Sequence, residues 1–382
     1  MSANDNATSA TPATRIPAPP VFTAERLGRR CLVTGGAGYV GRALVKRLSA
    51  AGCSVRSFDV LPHRHDVGGV ANADIETRVG DLRDPDAVRA ACVGIDTVFH
   101  TAALINTLSI YRPAERALVF GVNVEGTRNV LRAAAEAGVS AFVHTSSFNV
   151  ALSAKAGDMA QDESAPYVAD AKDLYTLSKI EAERVALAAD DAHAVAPGGM
   201  RVCALRPGGI WGSDTGSMII RSFVEQLAAG KFKVLVGDPA ALTDNTHVEN
   251  LVDAELLAAQ ALRECPQTVG GRAYNISDGE PMNGMDWFRP LVEGLGHVYP
   301  QRWLPMWLIR GVAWAAESAH RLGAPQPLLT IRGVNNLAES SRLSIERARR
   351  ELGYAPRYTQ ANGMALLLPA ARALVARSGR TA

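Results

Sequence analysis

The segment "LVTGGAGYVGRALVKRL", residues 32–48, sets Gly35, Gly36, Gly38 and Gly41 between an apolar run and a helical one. Such a turn joins a buried strand to a helix with almost no connecting chain, and few architectures use it. It reads as Gly36-x-Gly38-x-x-Gly41 or as Gly35-x-x-Gly38-x-x-Gly41. Either way, backbone N–H groups can approach a pyrophosphate at the positive end of a helix. Asp59 closes the next strand eighteen positions after Gly41, where an acidic side chain accepts hydrogen bonds from an adenosine ribose. A carboxylate there repels a 2′-phosphate, so the expected cofactor is NAD rather than NADP. Arg56 and Arg64 flank Asp59 and soften that repulsion.

The surrounding pattern supports the same architecture. "RCLVTG", "SVRSFDV", "ETRVGD", "DTVFHTA", "AFVHTSS" and "MRVCALRP" read as strands. Helical stretches such as "GRALVKRLSAAG" and "VNVEGTRNVLRAAAEAGV" separate some of them. This alternation predicts an α/β protein with a Rossmann-type, doubly wound parallel sheet. After Arg206 the alternation lapses into Gly/Pro-rich loops, so a smaller, interleaved C-terminal substrate domain is expected. The organisation is then a disordered leader over 1–26, an NAD-binding domain over 27–206 and a mostly substrate-binding part over 207–382. Elements near 247–278, including the helix "THVENLVDAELLAAQAL", are expected to return to the first domain.

Charge and cysteine content narrow the function classes. Forty basic and thirty-eight acidic residues give a formal net charge of +2, with no electrostatic footprint for nucleic acid. Five scattered cysteines form no C-x-x-C pair, which fits a reducing cytoplasm better than a disulfide framework. No run of eighteen apolar residues occurs, which argues against a spanning helix. The histidines show no ligand spacing, so no metal is expected; His100, His144 and His247 read as packed or hydrogen-bonded.

"DLYTLSKIEAERVALAA", residues 173–189, puts Tyr175 and Lys179 four positions apart on one helical face. An ammonium beside a phenol draws its pKa down, which suits a proton donor and acceptor. Two common residues at that spacing also occur on ordinary surface helices, so the pair needs its context.

That context resembles the extended short-chain dehydrogenase/reductase family. "TGGAGYVG" is similar to its glycine turn, making Gly35, Gly38, Tyr39, Val40 and Gly41 cofactor contacts. "GDLRD" resembles its adenine-contacting pair, here Asp81 and Leu82, and "HTAA" implies Thr101, Ala102 and Ala103 under the cofactor. "NVEGTRNVL" resembles its Asn-x-x-Gly-Thr helix, with Asn123 the buried asparagine, and "LRPGGIWG" its loop at the nicotinamide, with Pro207. "HTSS" and "YTLSK" are similar to its active-site strand and helix. The resemblance implies Tyr175 as acid/base, Lys179 on the nicotinamide ribose, Ser147 on the substrate oxygen and Ser146 nearer the cofactor. "HTSSFNV", "DLYTLSKIEAER" and "ARRELGYAPRYT" are closest to the 3β-hydroxysteroid dehydrogenase group, including bacterial members. The long hydrophobic segment of its animal members is absent from the C-terminal half.

The implied function is NAD-dependent oxidation of a 3β-hydroxyl on a sterol or steroid. A 2-alkyl-3-oxo acid reductase, a nucleotide-sugar epimerase or dehydratase, and an NAD-binding regulator are the alternatives. Phe148, Ile210, Trp211 and Met218 follow the motifs and are apolar; they either line a lipid-like substrate or belong to the core. A helix beginning near Pro305 carries Trp307, Arg310 and Trp314 on one face. It is open to packing on the second domain, covering the cleft or lying at a membrane surface. Expected partners are therefore a small-molecule lipid or sterol, with peripheral membrane contact and a homodimer left open.

Overall fold

Seven strands form one parallel sheet in the computed structural model, which describes residues 16–63, 75–151, 159–193, 199–327 and 329–378. The order across it is β3 (Ile75–Val79), β2 (Ser54–Asp59), β1 (Arg30–Thr34), β4 (Thr97–His100), β5 (Ala141–Thr145), β6 (Arg201–Pro207) and β9 (Ala273–Ile276). Short β7 (Gly209–Trp211) and β8 (Asn245–His247) pair separately, also in parallel. β4 and β5 are buried at every position, as strands covered on both faces must be.

On one face lie α1 (Ala24–Leu27), α2 (Tyr39–Ala50) and α8 (Val248–Glu264), packed on Val33, Val143 and Cys203. The other carries α3 (Pro85–Cys92), α5 (Gly126–Glu136) and α6 (Leu174–His193) over Leu32, Val98, Phe142 and Val202. α4 (Pro113–Phe120) runs into a π-helical turn, Gly121–Glu125, before α5 begins. The expected parallel sheet is thus observed, with α8 and β9 returning to it from late in the chain.

The strand order reverses between β1 and β4, so their carboxyl ends open a crevice. Thr34 pairs with His100 in register, which sets the glycine turn directly beside residues 101–103. Sheets of this kind bind ligands at that reversal.

Most of the remaining helices build a second body. α7 (Met218–Ala228), α10 (Arg289–Gly294) and α14 (Gln360–Ser378) close around Trp211, Trp287 and Phe288. α11 (Met306–Arg321) packs on α12 (Ile331–Ala338) through Ile309, Ala313 and Val334. α9 (Pro266–Val269) and α13 (Glu346–Leu352) pack on α8. α11 therefore has a packed face, while Trp307 and Trp314 point outward, 75% and 60% exposed. No helix among the described residues is long and apolar enough to cross a membrane.

The stretch expected as a leader is docked from Pro17 onward. The Pro17 carbonyl accepts from Arg357, Phe22 and Leu27 are buried, and Arg26 pairs with Glu264 at 2.7 Å. Residues 1–15, and Arg64 beside Asp59, lie outside the described residues.

Candidate active site

The crevice begins at the glycine turn, and its glycines are required by space. Gly35 has φ +71, and a Cβ there would stand 2.8 Å from the Ala102 backbone. A Cβ on Gly41 would lie 2.0 Å from the Gly35 carbonyl oxygen. Gly38 caps α2 with extended backbone and no side-chain bond, leaving the helix start to be met by a ligand's anion. The Tyr39 ring lies against the loop at Gly212 and Gly216, and Val40 packs towards the core. Any contact these two make with a phosphate is therefore through backbone N–H groups.

Asp59 Oδ2 accepts from the Ala37 N–H and Oδ1 from Leu61, tying the glycine turn to the end of β2. Beyond it opens a pocket of about 320 Å³ lined by Asp59, Asp81, Leu82, Ala102, Ala103 and Val122, among others. Its mostly apolar wall with two carboxylates at the rim suits a flat base and its ribose. Asp81 is held by Arg83 at 2.6 Å, which keeps its carboxyl below the usual range. The Thr101 hydroxyl is used internally, donating to the Thr34 carbonyl at 2.8 Å. Pro207 ends β6 in register with Ile276.

The catalytic candidates gather where β5 ends. Ser147 is buried just past that strand; its Oγ accepts from the Asn149 N–H at 3.4 Å, and its hydroxyl lies near enough to the Tyr175 phenol to act on its titration. Tyr175 is placed by its N–H, which donates to the Asn106 carbonyl at 2.8 Å. Asp173 caps the start of α6 by accepting from the Thr176 N–H. Burial pushes the Tyr175 hydroxyl up to about 12; the Ser147 hydroxyl pulls the other way and the Asp173 charge adds to the rise. The expectation that Lys179 lowers this phenol is not met within the protein. Lys179 Nζ donates to the Thr145 carbonyl at 2.6 Å, so its charge is anchored on β5. Burial brings Lys179 down to about 8, against the pull of Glu183 and Glu255.

The family model for the 3-beta hydroxysteroid dehydrogenase/isomerase family matches residues 32–306, which span every element of this crevice. The chain belongs to that family. It is 40% identical over 346 residues to a Mycobacterium tuberculosis protein named 3 beta-hydroxysteroid dehydrogenase/Delta 5→4-isomerase, covering 89% of this chain and 90% of that one. A Mycolicibacterium neoaurum 3-beta-hydroxysteroid dehydrogenase is 38% identical over 89% of this chain and 90% of its own length. Among solved structures, a short-chain dehydrogenase/reductase superfamily protein from Agrobacterium tumefaciens with bound NAD shares the fold. Its TM-score is 0.66 at 23% identity, covering 92% of this chain and 99% of that one.

In this family member, Asn123 is a brace. Its Oδ1 accepts from the Leu104 N–H at 2.7 Å, and its Nδ2 donates to the Leu104 carbonyl and to Ser178 Oγ, both at 2.9 Å. The amide is thereby consumed inside the protein, which corrects its placement among the cofactor contacts. His100 bridges Thr34 and Thr127. His144 is buried and stacked on His100, with neither ring nitrogen bonded among the described residues. His247 stacks on Tyr358 and accepts from the Glu249 N–H. No cluster of three or more metal-ligating side chains stands among the described residues.

The apolar residues after the motifs separate. Trp211 is core: it is 2% exposed, packs edge-on against Trp287, and donates through Nε1 to Asp278 at 2.7 Å. A side chain so enclosed is no wall for a substrate, so of the two readings open for Trp211 the core one holds and the substrate one does not. Ile210 leans on the sheet core, Phe148 is half-buried beside Ser147, and Met218 is exposed.

Two residues near the site carry no motif. Arg332 on α12 donates to Asn149 Oδ1 at 2.6 Å and stands 3.8 Å from Asp173. It thus joins the second body to both active-site segments. Glu255 on α8 accepts from the Thr145 hydroxyl at 2.6 Å. A carboxylate inside an otherwise apolar helix face is the one signal the sequence offers for it.

Proposed function

We propose that this chain is an NAD-dependent 3β-hydroxysteroid or sterol dehydrogenase that oxidises a 3β-hydroxyl to a 3-ketone. The observation that carries the chemistry is the convergence of Ser147, Tyr175 and Lys179 at the end of β5, beside the crevice at the sheet's strand reversal. The names of the 40% and 38% identical relatives carry the substrate class. The glycine turn, Asp59 and the pocket over Asp81 and Leu82 would hold the dinucleotide, as their shape and polarity fit its phosphates, ribose and base. Bound NAD⁺ supplies the hydride acceptor.

The protein's own groups handle the proton. Ser147 Oγ holds the substrate oxygen, and Tyr175 Oη takes the hydroxyl proton as the carbonyl forms. Lys179, anchored on the Thr145 carbonyl, supplies positive charge at the end of β5 and a donor for the cofactor's ribose. Incubation with NAD⁺ and a panel of 3β-hydroxysteroids, followed by NADH formation and mass analysis, tests the reading. Formation of 3-ketosteroids supports it; turnover of UDP-sugars but no steroid would replace it with the epimerase reading.

A peripheral contact with lipid belongs to the same reading, since sterols partition into membranes. The outward Trp307 and Trp314 present amphipathic rings with Arg310 between them in sequence. Co-sedimentation with anionic vesicles, weakened by Trp307→Ala with Trp314→Ala, tests it; indifference to vesicles removes it.

A further inference from the structure

Thr145 is gripped from both faces of the sheet. From the α6 face, Lys179 Nζ donates to its carbonyl; from the α8 face, Glu255 Oε1 accepts from its hydroxyl, each at 2.6 Å. Glu255 is fully buried, and its second oxygen, Oε2, has no partner among the described residues. A carboxylate so placed costs free energy that a threonine, or an amide, would not. Its position is therefore informative, since the Lys179 ammonium is bound to the same residue from the other side of the sheet.

We propose that Glu255 is a positioning residue for Lys179, which fixes the Thr145 end of β5 and holds the proton on the ammonium through the sheet. The inference rests on the dehydrogenase reading for its kinetic consequence, but its electrostatic core does not.

The surrounding groups leave this role to Glu255. Glu183, one turn beyond Lys179, is already paired with Arg206 at 2.6 Å and accepts from the Tyr167 hydroxyl. On α8 itself, Asp253 is held by Arg47 and Arg357. On β6, burial keeps the Cys203 thiol protonated. His100 and His144 are buried, held below the ordinary imidazole range and neutral at working pH. Burial lifts Glu255 to about 8, opposed by the Thr145 bond and by Lys179, while Lys179 itself falls to about 8. The two therefore titrate in one pH range as a coupled pair, in which the charge on each favours the charge on the other.

The sign of the stability change follows. Glu255 is raised from 4.5 to about 8, so its contribution is full below 4.5 and is lost as pH rises towards 8. Lys179 is lowered from 10.5 to about 8, so its contribution is present above 10.5 and is lost as pH falls through 8. Glu255→Gln keeps an acceptor for Thr145 and removes the charge. It should flatten the decline between these limits and start the alkaline recovery at lower pH.

The deciding experiment is urea unfolding of the full chain across pH for the parent, Glu255→Gln, Lys179→Met and the double variant. With steroid and NAD⁺ present, the alkaline limb of the oxidation profile should also move down by about one pH unit in Glu255→Gln, and back in Glu255→Asp. Absence of steroid turnover in the parent would count against the dehydrogenase reading alone, because the unfolding cycle needs no substrate. Coupling is expected: Glu255→Gln should move the alkaline recovery of stability to lower pH when Lys179 is present, whereas in the Lys179→Met background there is no such recovery to move. Equal effects in both backgrounds would overturn the proposal, leaving Glu255 a residue of the fold.

Discussion

Asn123 Nδ2 donates to Ser178 Oγ at 2.9 Å, tying the π-helical turn before α5 to the residue that precedes Lys179. The same amide closes both backbone groups of Leu104, so one side chain joins α6 to the segment under the crevice. π-Turns recur at functional sites because the extra residue re-aims a side chain, and here the re-aimed side chain is Asn123.

Asn123→Ala removes the partner of the buried Ser178 hydroxyl and of both backbone groups of Leu104, a residue that solvent reaches. A lost bond to a buried group costs about 1–3 kcal/mol, so the variant should lose stability in that range, read by urea denaturation. Turnover should fall as well, because Lys179 and Leu104 both lose their reference. Parent-like stability would contradict the bracing role.

Arg332 and Asp173 offer a test by pH. Asp173 raises the Tyr175 hydroxyl, and the Arg332 guanidinium stands 3.8 Å from that carboxylate. Arg332→Met should leave Asp173 uncompensated, lift Tyr175 further and move the acid limb of steroid oxidation to higher pH. The pH profile of kcat/KM checks this; a limb that stays in place, or moves down, would contradict it.

What the chain disclosed before its structure was mostly local. The glycine turn, Asp59, Ser147 and the Tyr175–Lys179 spacing each lie within one strand, turn or helix, where period and sterics are readable. Asn123, Arg332 and Glu255 act across elements that are far apart in sequence, so nothing in their neighbours announces their partners. Trp211 shows the limit from the other side. An aromatic residue beside a motif looks the same in sequence whether it faces a cleft or, as here, donates to buried Asp278. The direction of the Tyr175 shift was hidden for a related reason. Helical spacing sets Lys179 beside it, but the Thr145 carbonyl, supplied by β5, decides where the ammonium goes.

Cofactor choice should follow Asp59. Its carboxylate closes β2 beside the pocket and repels a 2′-phosphate, so NAD⁺ should be preferred over NADP⁺. Asp59→Ala should narrow that preference, with some loss of stability because the Ala37 and Leu61 N–H groups lose their acceptor. Titration of each cofactor by tryptophan fluorescence reads it; a native preference for NADP⁺ would contradict the assignment.

Replacing Tyr175 by Phe removes one hydroxyl and tests the central claim most directly. General acid/base groups contribute ~10²–10⁴-fold, so Tyr175→Phe should lose 3β-hydroxysteroid oxidation by about that factor while folding and NAD⁺ binding persist. The measurement is the single-turnover rate of NADH formation on a steroid that the parent oxidises. A rate reduced a hundredfold or more with intact NAD⁺ affinity is the predicted result; a parent-like rate on the same steroid would contradict Tyr175 as the proton acceptor.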